Sequence, residues 1–396
     1  MKRREFLQYT GLTSSALMIP GFLKAFESSI LENSGKRLVI VQLAGGNDGL
    51  NTCIPYQNDI YYSSRPKLAI AKNEILKLTD EFGFNPGMSG FRTLFNQGEM
   101  AVYHAVGYPN PDRSHFRSMD IWHTASNSDE YLNTGWLGRL LDANCPGSEN
   151  PWFALEVDDT HSLSMKGQNQ SGFAVKNAQR LKKTLNDPIF SELQPTVGLD
   201  SDNSEIGFLY KTLASTRTGA KYISEKASIK SLNSEYPMHE FGNSMKQIAE
   251  FVNNGIGSRI FYTGLSGFDT HVRQAETQQR LLKVVSDSIN QFRNDLHASG
   301  NWKDTVVMVF SEFGRRVKQN GSNGTDHGTA NQVYLIGGDI KNAGFRNEAA
   351  NLSLLDDGDL IHQMDFRNIY ATLLDKTIGF DSSKVLGRKF GNVDAL

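Results

Sequence analysis

The sequence predicts an α/β fold: a doubly wound, mainly parallel sheet with helices on both faces. Two observations carry that expectation. Short apolar runs rich in β-branched residues recur along the chain, and amphipathic helical patterns lie between several of them. Strands that are apolar throughout are buried on both faces, which an alternation with covering helices provides. The first run is "RLVIVQLAGG" at 37–46, ending in a glycine pair. "MAVYHAVG" (100–107), "WFALEV" (152–157), "SRIFYTGL" (258–265), "DTVVMVFSEFG" (304–314) and "QVYLIGG" (332–338) read as further strands. The clearest helix is 275–298, which puts Leu281, Leu282, Val285, Ile289, Phe292 and Leu296 on one face. A second runs through "SMKQIAEFVNN" (244–254). Residues 158–236 are polar and lack strong strand signals. They read as an insertion or cap, with local helices in "PIFSEL" and "EIGFLYKTLAS", or as a peripheral helical layer.

The 396 residues are 39% hydrophobic and 21% charged, the composition of a folded soluble chain. A formal net charge of -2 argues against a nucleic-acid partner, which calls for a basic balance. The two cysteines, Cys53 and Cys145, allow one disulfide at most and no cysteine-based zinc finger; we read them as unpaired. The N-terminus, "MKRREFLQYTGLTSSALMIPGFLKAF", places Arg3 and Arg4 before a polar residue, Phe6 and Leu7. This resembles the twin-arginine export motif. The weakly apolar stretch that follows is too short and too rich in Gly, Ser and Thr to span a membrane. An amphipathic N-terminal helix is the competing reading. We expect a signal peptide and linker over 1–35, handled by the twin-arginine translocase, and an α/β domain over 36–396 in the periplasm or outside the cell. Residues 1–26 carry a net charge of +3, so their removal leaves the rest at -5.

In open α/β sheets, ligands bind at the carboxyl ends of the strands, and polar clusters follow these strands repeatedly. "AGGNDGLN" (44–51) holds Asp48, which reads equally as a turn residue. "SGFDTH" (266–271) holds Asp269 and His271. "SEFGRR" (311–316) holds Glu312 and Arg315, and "NGTDHG" (323–328) holds Asp326 and His327. "QMDFRNIY" (363–370) adds Asp365. Each cluster alone is a turn or a helix start, but a sheet gathers them, and oxygen and imidazole donors so gathered suit a divalent metal. Around "DRSHFRS" (112–118), Pro109 and Pro111 break the chain, and Asp112 or Ser114 can cap a helix. Free N–H groups there favour an anion, with Arg113 and Arg117 adding charge. A metal beside Ser114 would make its hydroxyl a nucleophile; a plain N-cap is the other reading.

The ordered set "QLAGGNDGLNTCIPY", "YYSSRPKLAI", "GYPNPDRSHFRSMDIWHTA", "GWLGRLLD", "GLSGFDTH", "SEFGRRVKQNGSNGTDHGTA" and "DFRNIYATLLD" resembles domain-of-unknown-function family 1501, from about Arg37 to the C-terminus. The resemblance implies a place near the alkaline phosphatase and sulfatase superfamily, with a doubly wound fold and a mononuclear or dinuclear metal centre. It implies that Asp48 is the first metal aspartate, Ser114 the nucleophile, Asp269 and His271 a ligand pair, and His327 the late histidine, with Asp326 beside it as a further candidate. Glu312 stands where an Asp-His pair is usual, so Phe313 takes the place of a ligand histidine. Neither "CIPY" nor "CPGS" fits the sulfatase motif C/S-x-P-x-R, which argues against a formylglycine enzyme.

These readings lead to an exported metal-dependent hydrolase of phosphate or sulfate esters. Ser114 would attack, with Arg113 or Arg315 on the non-bridging oxygens. Asp48, Asp269, His271, Glu312, Asp326 and His327 would surround a divalent metal: zinc first, with calcium, magnesium or manganese as alternatives. The partner is a small-molecule or polymer ester. The alternative is a non-catalytic binding or assembly protein on a degenerate phosphatase-like fold.

Overall fold

The computed structural model describes residues 35–144, 151–185, 217–227 and 229–396. The twin-arginine leader, Cys145, "PIFSEL" and "EIGFLYKTLAS" lie outside these residues. Among the described residues, nine strands form the main sheet. In chain order they are β1 (Arg37–Ala44), β2 (Met100–Gly107), β3 (Ala154–Glu156), β4 (Phe173–Ala174), β5 (Ile260–Ser266), β6 (Thr305–Phe310), β7 (Asn331–Gly337), β8 (Gly344–Phe345) and β9 (Met364–Asp365). Their spatial order is β8-β2-β7-β6-β1-β5-β3-β4, with β9 also paired to β2. Every pairing is parallel except those of β7, which runs antiparallel to both β6 and β2. The mainly parallel sheet expected from the sequence is therefore present. Phe173–Ala174 extends its edge from within the polar segment 158–236.

Alternation along β1 shows why the sheet needs cover on both sides. Val39, Val41 and Leu43 pack in one core with α1 (Ser89–Asn96), α4 (Glu240–Asn253) and α5 (Gln274–Ala298). Leu38 and Ile40 point into the other, with α2 (His115–Thr124), α3 (Trp136–Asn144) and α6 (Phe366–Thr372). The expected apolar face of α5 is buried from Leu281 to Leu296. Each such aliphatic side chain contributes about 1.5–3 kcal/mol on leaving water. Cys53 is a free, buried thiol. Among the described residues no helix is long and apolar enough to cross a membrane.

Strand direction fixes where the polar loops meet. The carboxyl ends of β1, β2, β5 and β6 lie on one edge of the sheet. Because β7 is antiparallel, the loop entering it starts from that same edge. The segment 311–330 leaves β6 and returns to β7 as an irregular hairpin, tied by Gly314 N–H to Thr329 O at 2.8 Å and Arg316 N–H to Asp326 O at 3.1 Å.

Candidate metal centre

Four side chains from three loops meet above this edge. Asp269 and His271 follow β5, His327 precedes β7, and His115 is the first residue of α2 after β2. One ligand atom from each of His115, Asp269 and His327 lies within 4.8 Å of the others, so these three can hold a metal ion. Around Asp269 Oδ1 stand His271 Nε2 at 3.1 Å, His327 Nε2 at 3.3 Å and His115 Nε2 at 3.5 Å. Tetrahedral ligands with bonds of about 2.0–2.2 Å are spaced about 3.3–3.6 Å apart; His327 and His115 stand at that spacing from Asp269, and His271 stands slightly inside it.

The outer nitrogens decide the protonation of the inner ones. His115 Nδ1 faces Glu312 Oε1 at 2.9 Å, His271 Nδ1 faces Asp326 Oδ1 at 3.1 Å, and His327 Nδ1 faces the Arg113 carbonyl at 2.8 Å. Two carboxylates and a carbonyl only accept, so each Nδ1 donates. A neutral ring then presents a bare lone pair at Nε2. His271 Nε2 and His327 Nε2 are 3.0 Å apart. His115 Nε2 is buried with no hydrogen-bond partner among the described residues. Lone pairs of His271 and His327 side by side, with that of His115 turned to the same Asp269 oxygen, are unfavourable together unless a cation stands among them.

The electrostatics treat the rings differently. The Glu312 hydrogen bond raises the His115 pKa, and burial lowers that of His327. Burial pushes the Asp269 carboxyl up, but Arg315 with His271 and His327 outweighs it, bringing the pKa down to about 2. The hydrogen bond from Asn320, with His271, lowers Asp326. Phe313, buried, packs its ring 4.8 Å from that of His115 and 4.9 Å from that of His327. Gly46, with φ +69°, makes room for it: a Cβ there would lie 2.2 Å from Phe313 Cε2.

The expected ligands do not converge as one set. Asp269, His271 and His327 do. Asp48 does not: its carboxylate is buried and bound by Arg65 Nη1 at 2.5 Å and by the Gln274 amide, while Oδ1 caps Leu50 N–H at 3.2 Å. It is the turn and ion-pair residue. Glu312 stands behind His115, with Gly45 N–H donating to it at 2.8 Å and Ser311 Oγ at 3.2 Å. Asp326 stands behind His271 rather than His327. Arg315 is spent on the chain itself, donating to the carbonyls of Gly46, Thr325, Gly45 and Phe268 and to Asp269 at 2.7 Å. Its side chain is fully buried, out of reach of a substrate oxygen.

Arg113 pairs with Asp359 and Asp357, and Arg117 donates to the carbonyls of Asn127, Ser128 and Glu130. Asp365 caps α6 and holds Arg367 in a two-point pair. Ser114 is the N-cap of α2 by backbone position, exposed, with no capping hydrogen bond from its side chain. The glycines of "NGTDHG" serve the chain rather than an ion. A Cβ on Gly324 would lie 2.2 Å from the His271 carbonyl carbon, and one on Gly328 2.6 Å from that of Arg315.

Sequence reasoning missed His115. Its signal was in plain view, a histidine beside Ser114 at a helix start after a strand, but which of two neighbours faces the crevice depends on the helix phase.

Among solved structures, the chain is similar to the C-terminal periplasmic domain of EcEptC from Escherichia coli, at 10% identity and a TM-score of 0.43, over 91% of this chain and 88% of that one. It is similar to a protein in the alkaline phosphatase superfamily from Vibrio parahaemolyticus, at 13% identity and 0.41, over 89% and 69%. It is also similar to the PsFucS1 sulfatase from Pseudoalteromonas sp., at 11% identity and 0.38, over 95% and 75%. No curated protein matches it. The family model described as "Protein of unknown function (DUF1501)" matches residues 35–393, and the chain belongs to that family.

Proposed function

We propose that this protein is an exported metal-dependent hydrolase of phosphate or sulfate esters. The observation that carries the reading is the meeting of three imidazole Nε2 lone pairs with Asp269. His115, Asp269, His271 and His327 would hold one ion. A donor set of three nitrogens and one oxygen suits zinc better than calcium or magnesium, which take oxygen. Bound there, a divalent ion supplies Lewis-acid polarisation of the ester and lowers the pKa of a nearby hydroxyl or water.

The chain's own residues do the rest. Glu312, Asp326 and the Arg113 carbonyl keep each Nδ1 protonated, so all three rings stay neutral at Nε2. The Ser114 hydroxyl, exposed and without a capping bond, sits one residue from His115 and is the nucleophile of this reading. Its oxygen would bond to phosphorus or sulfur as the alcohol leaves, and water would then cleave the seryl ester.

The test is hydrolysis of an aryl phosphate and an aryl sulfate by purified, metal-loaded protein. Ser114→Ala abolishes turnover with metal content unchanged, and His327→Ala abolishes both. Turnover intact in Ser114→Ala moves the nucleophile to water. One observation favours a second reading, a metal-binding protein without catalysis: Arg315 and Arg113 are both committed within the chain, so neither is free to steady a transferring group. A stoichiometric ion with no turnover of either ester would establish that reading instead.

A further inference from the structure

A short hairpin lies beside the candidate centre without contributing a ligand. Leu355–Asp356 pairs antiparallel with Asp359–Leu360. Asp357 (φ 49°) and Gly358 (φ 86°) turn between them, both left-handed as a two-residue turn of this kind requires. The hairpin carries two carboxylates toward two guanidinium groups. Asp359, whose side chain is 1% exposed, accepts from Arg113 Nε at 2.7 Å and lies 3.5 Å from Arg316 Nε. Asp357 pairs with Arg113 at 3.2 Å and with Arg316 at 3.0 Å. Thr329 Oγ donates to the Leu360 carbonyl.

The two arginines belong to two of the three loops that supply histidines to the site, those of His115 and His327. Arg113 precedes His115 by two residues, and its carbonyl accepts from His327 Nδ1 at 2.8 Å. Arg316 N–H is bonded to the Asp326 carbonyl, next to His327. The hairpin thus cross-links the loop before α2 to the loop between β6 and β7, and Asp359 is the buried anchor of the link. We propose that Asp359 is a positioning residue: through the Arg113 side chain it fixes the Arg113 carbonyl, and with it the ring of His327. Arg113 on this account acts by its place in the link, not by touching substrate. A carbonyl that orients a ligand histidine belongs to the outer partners whose loss weakens metal binding about 10–100-fold.

The inference rests on the metal reading, and the experiment separates the two. Zinc is titrated into metal-free wild type, Asp359→Asn, Arg113→Met and the double variant, with the melting temperature of each recorded without metal. Asp359→Asn and Arg113→Met each bind zinc about 10-fold more weakly. The double variant is no weaker than the worse single one, because both changes break one link. Asp359→Glu restores part of the loss. Arg113→Met reads the same link if Asp359→Asn fails to fold, since it keeps the carbonyl and removes only the half-exposed side chain. Wild-type affinity in either folded variant, or losses that multiply in the double variant, overturns the positioning role. Wild type that takes no zinc overturns the metal reading itself.

Discussion

Asp48 and Asp269 follow adjacent parallel strands, β1 and β5, at the same edge of the sheet, yet their surroundings differ in kind. Asp48 is fully buried against Arg65, which also donates to the carbonyls of Val317 and Arg316 and to Asn51. Gln274 joins Asp48 to Thr325, and Gln278 adds the Asp48 carbonyl and Asn47. Donors and acceptors match. Asp269 is half-exposed and surrounded by acceptors: of its partners only Arg315 must donate. A polar cluster satisfied within the chain is a structural one. A cluster left with converging lone pairs needs something from outside.

The sharpest contrast comes from breaking each cluster. Asp48→Ala leaves Arg65 buried without its counter-charge, and costs about 3–5 kcal/mol of stability, read as a lower denaturation midpoint. A cost under about 1 kcal/mol would erase the distinction between the clusters. His271→Ala has the opposite profile. Without metal its stability changes by less than about 1 kcal/mol, because no donor in the chain depends on Nε2. Its zinc affinity falls by more than about 100-fold, beyond what outer partners command.

Phe313→Leu probes the boundary between the clusters. It keeps an apolar side chain under Gly46 but removes the ring against His115 and His327. The cost in stability is under about 1.5 kcal/mol, and zinc binds about 10-fold more weakly. An unchanged affinity would reduce Phe313 to plain core.

The smallest effect is one of pH, and its sign is diagnostic. Glu312 raises the pKa of His115 above the ordinary value of about 6.5. In metal-free protein this pair's stabilisation is fully present below about pH 6.5 and is lost as pH rises through the higher folded value. Loaded protein behaves in reverse, gaining stability as pH rises, because protons compete with the ion for Nε2. Urea midpoints at two pH values, with and without zinc, show the crossing. Glu312→Gln removes the metal-free trend, which is about 1 kcal/mol or less because the His115 ring is only partly buried.

The fold was legible because its signal is local. Apolar runs such as 37–44 and 305–310, and the face from Leu281 to Leu296, need no partner to be recognised. The antiparallel direction of β7 was not legible, since it depends on how the loop after Glu312 returns. The site was half legible. Strand-end position picked out Asp269, His271 and His327 correctly as neighbours. It also picked out Asp48, because nothing near Asp48 in the chain announces Arg65 as its partner. Glu312 and Asp326 were located near the centre but one layer too far in. They hold histidines by Nδ1, a relation of side-chain direction that spacing does not encode. Arg315 illustrates the same limit: an arginine beside a crevice looks free until the carbonyls around it are counted.

The central claim concerns three nitrogens among nine histidines. Zinc added to metal-free protein, followed through the imidazole nitrogen resonances, tests it most directly. The account predicts that one equivalent shifts Nε2 of His115, His271 and His327 together, while their Nδ1 atoms stay protonated and the other histidines do not move. Folded protein in which zinc moves none of these three, or binds through Nδ1, would contradict it.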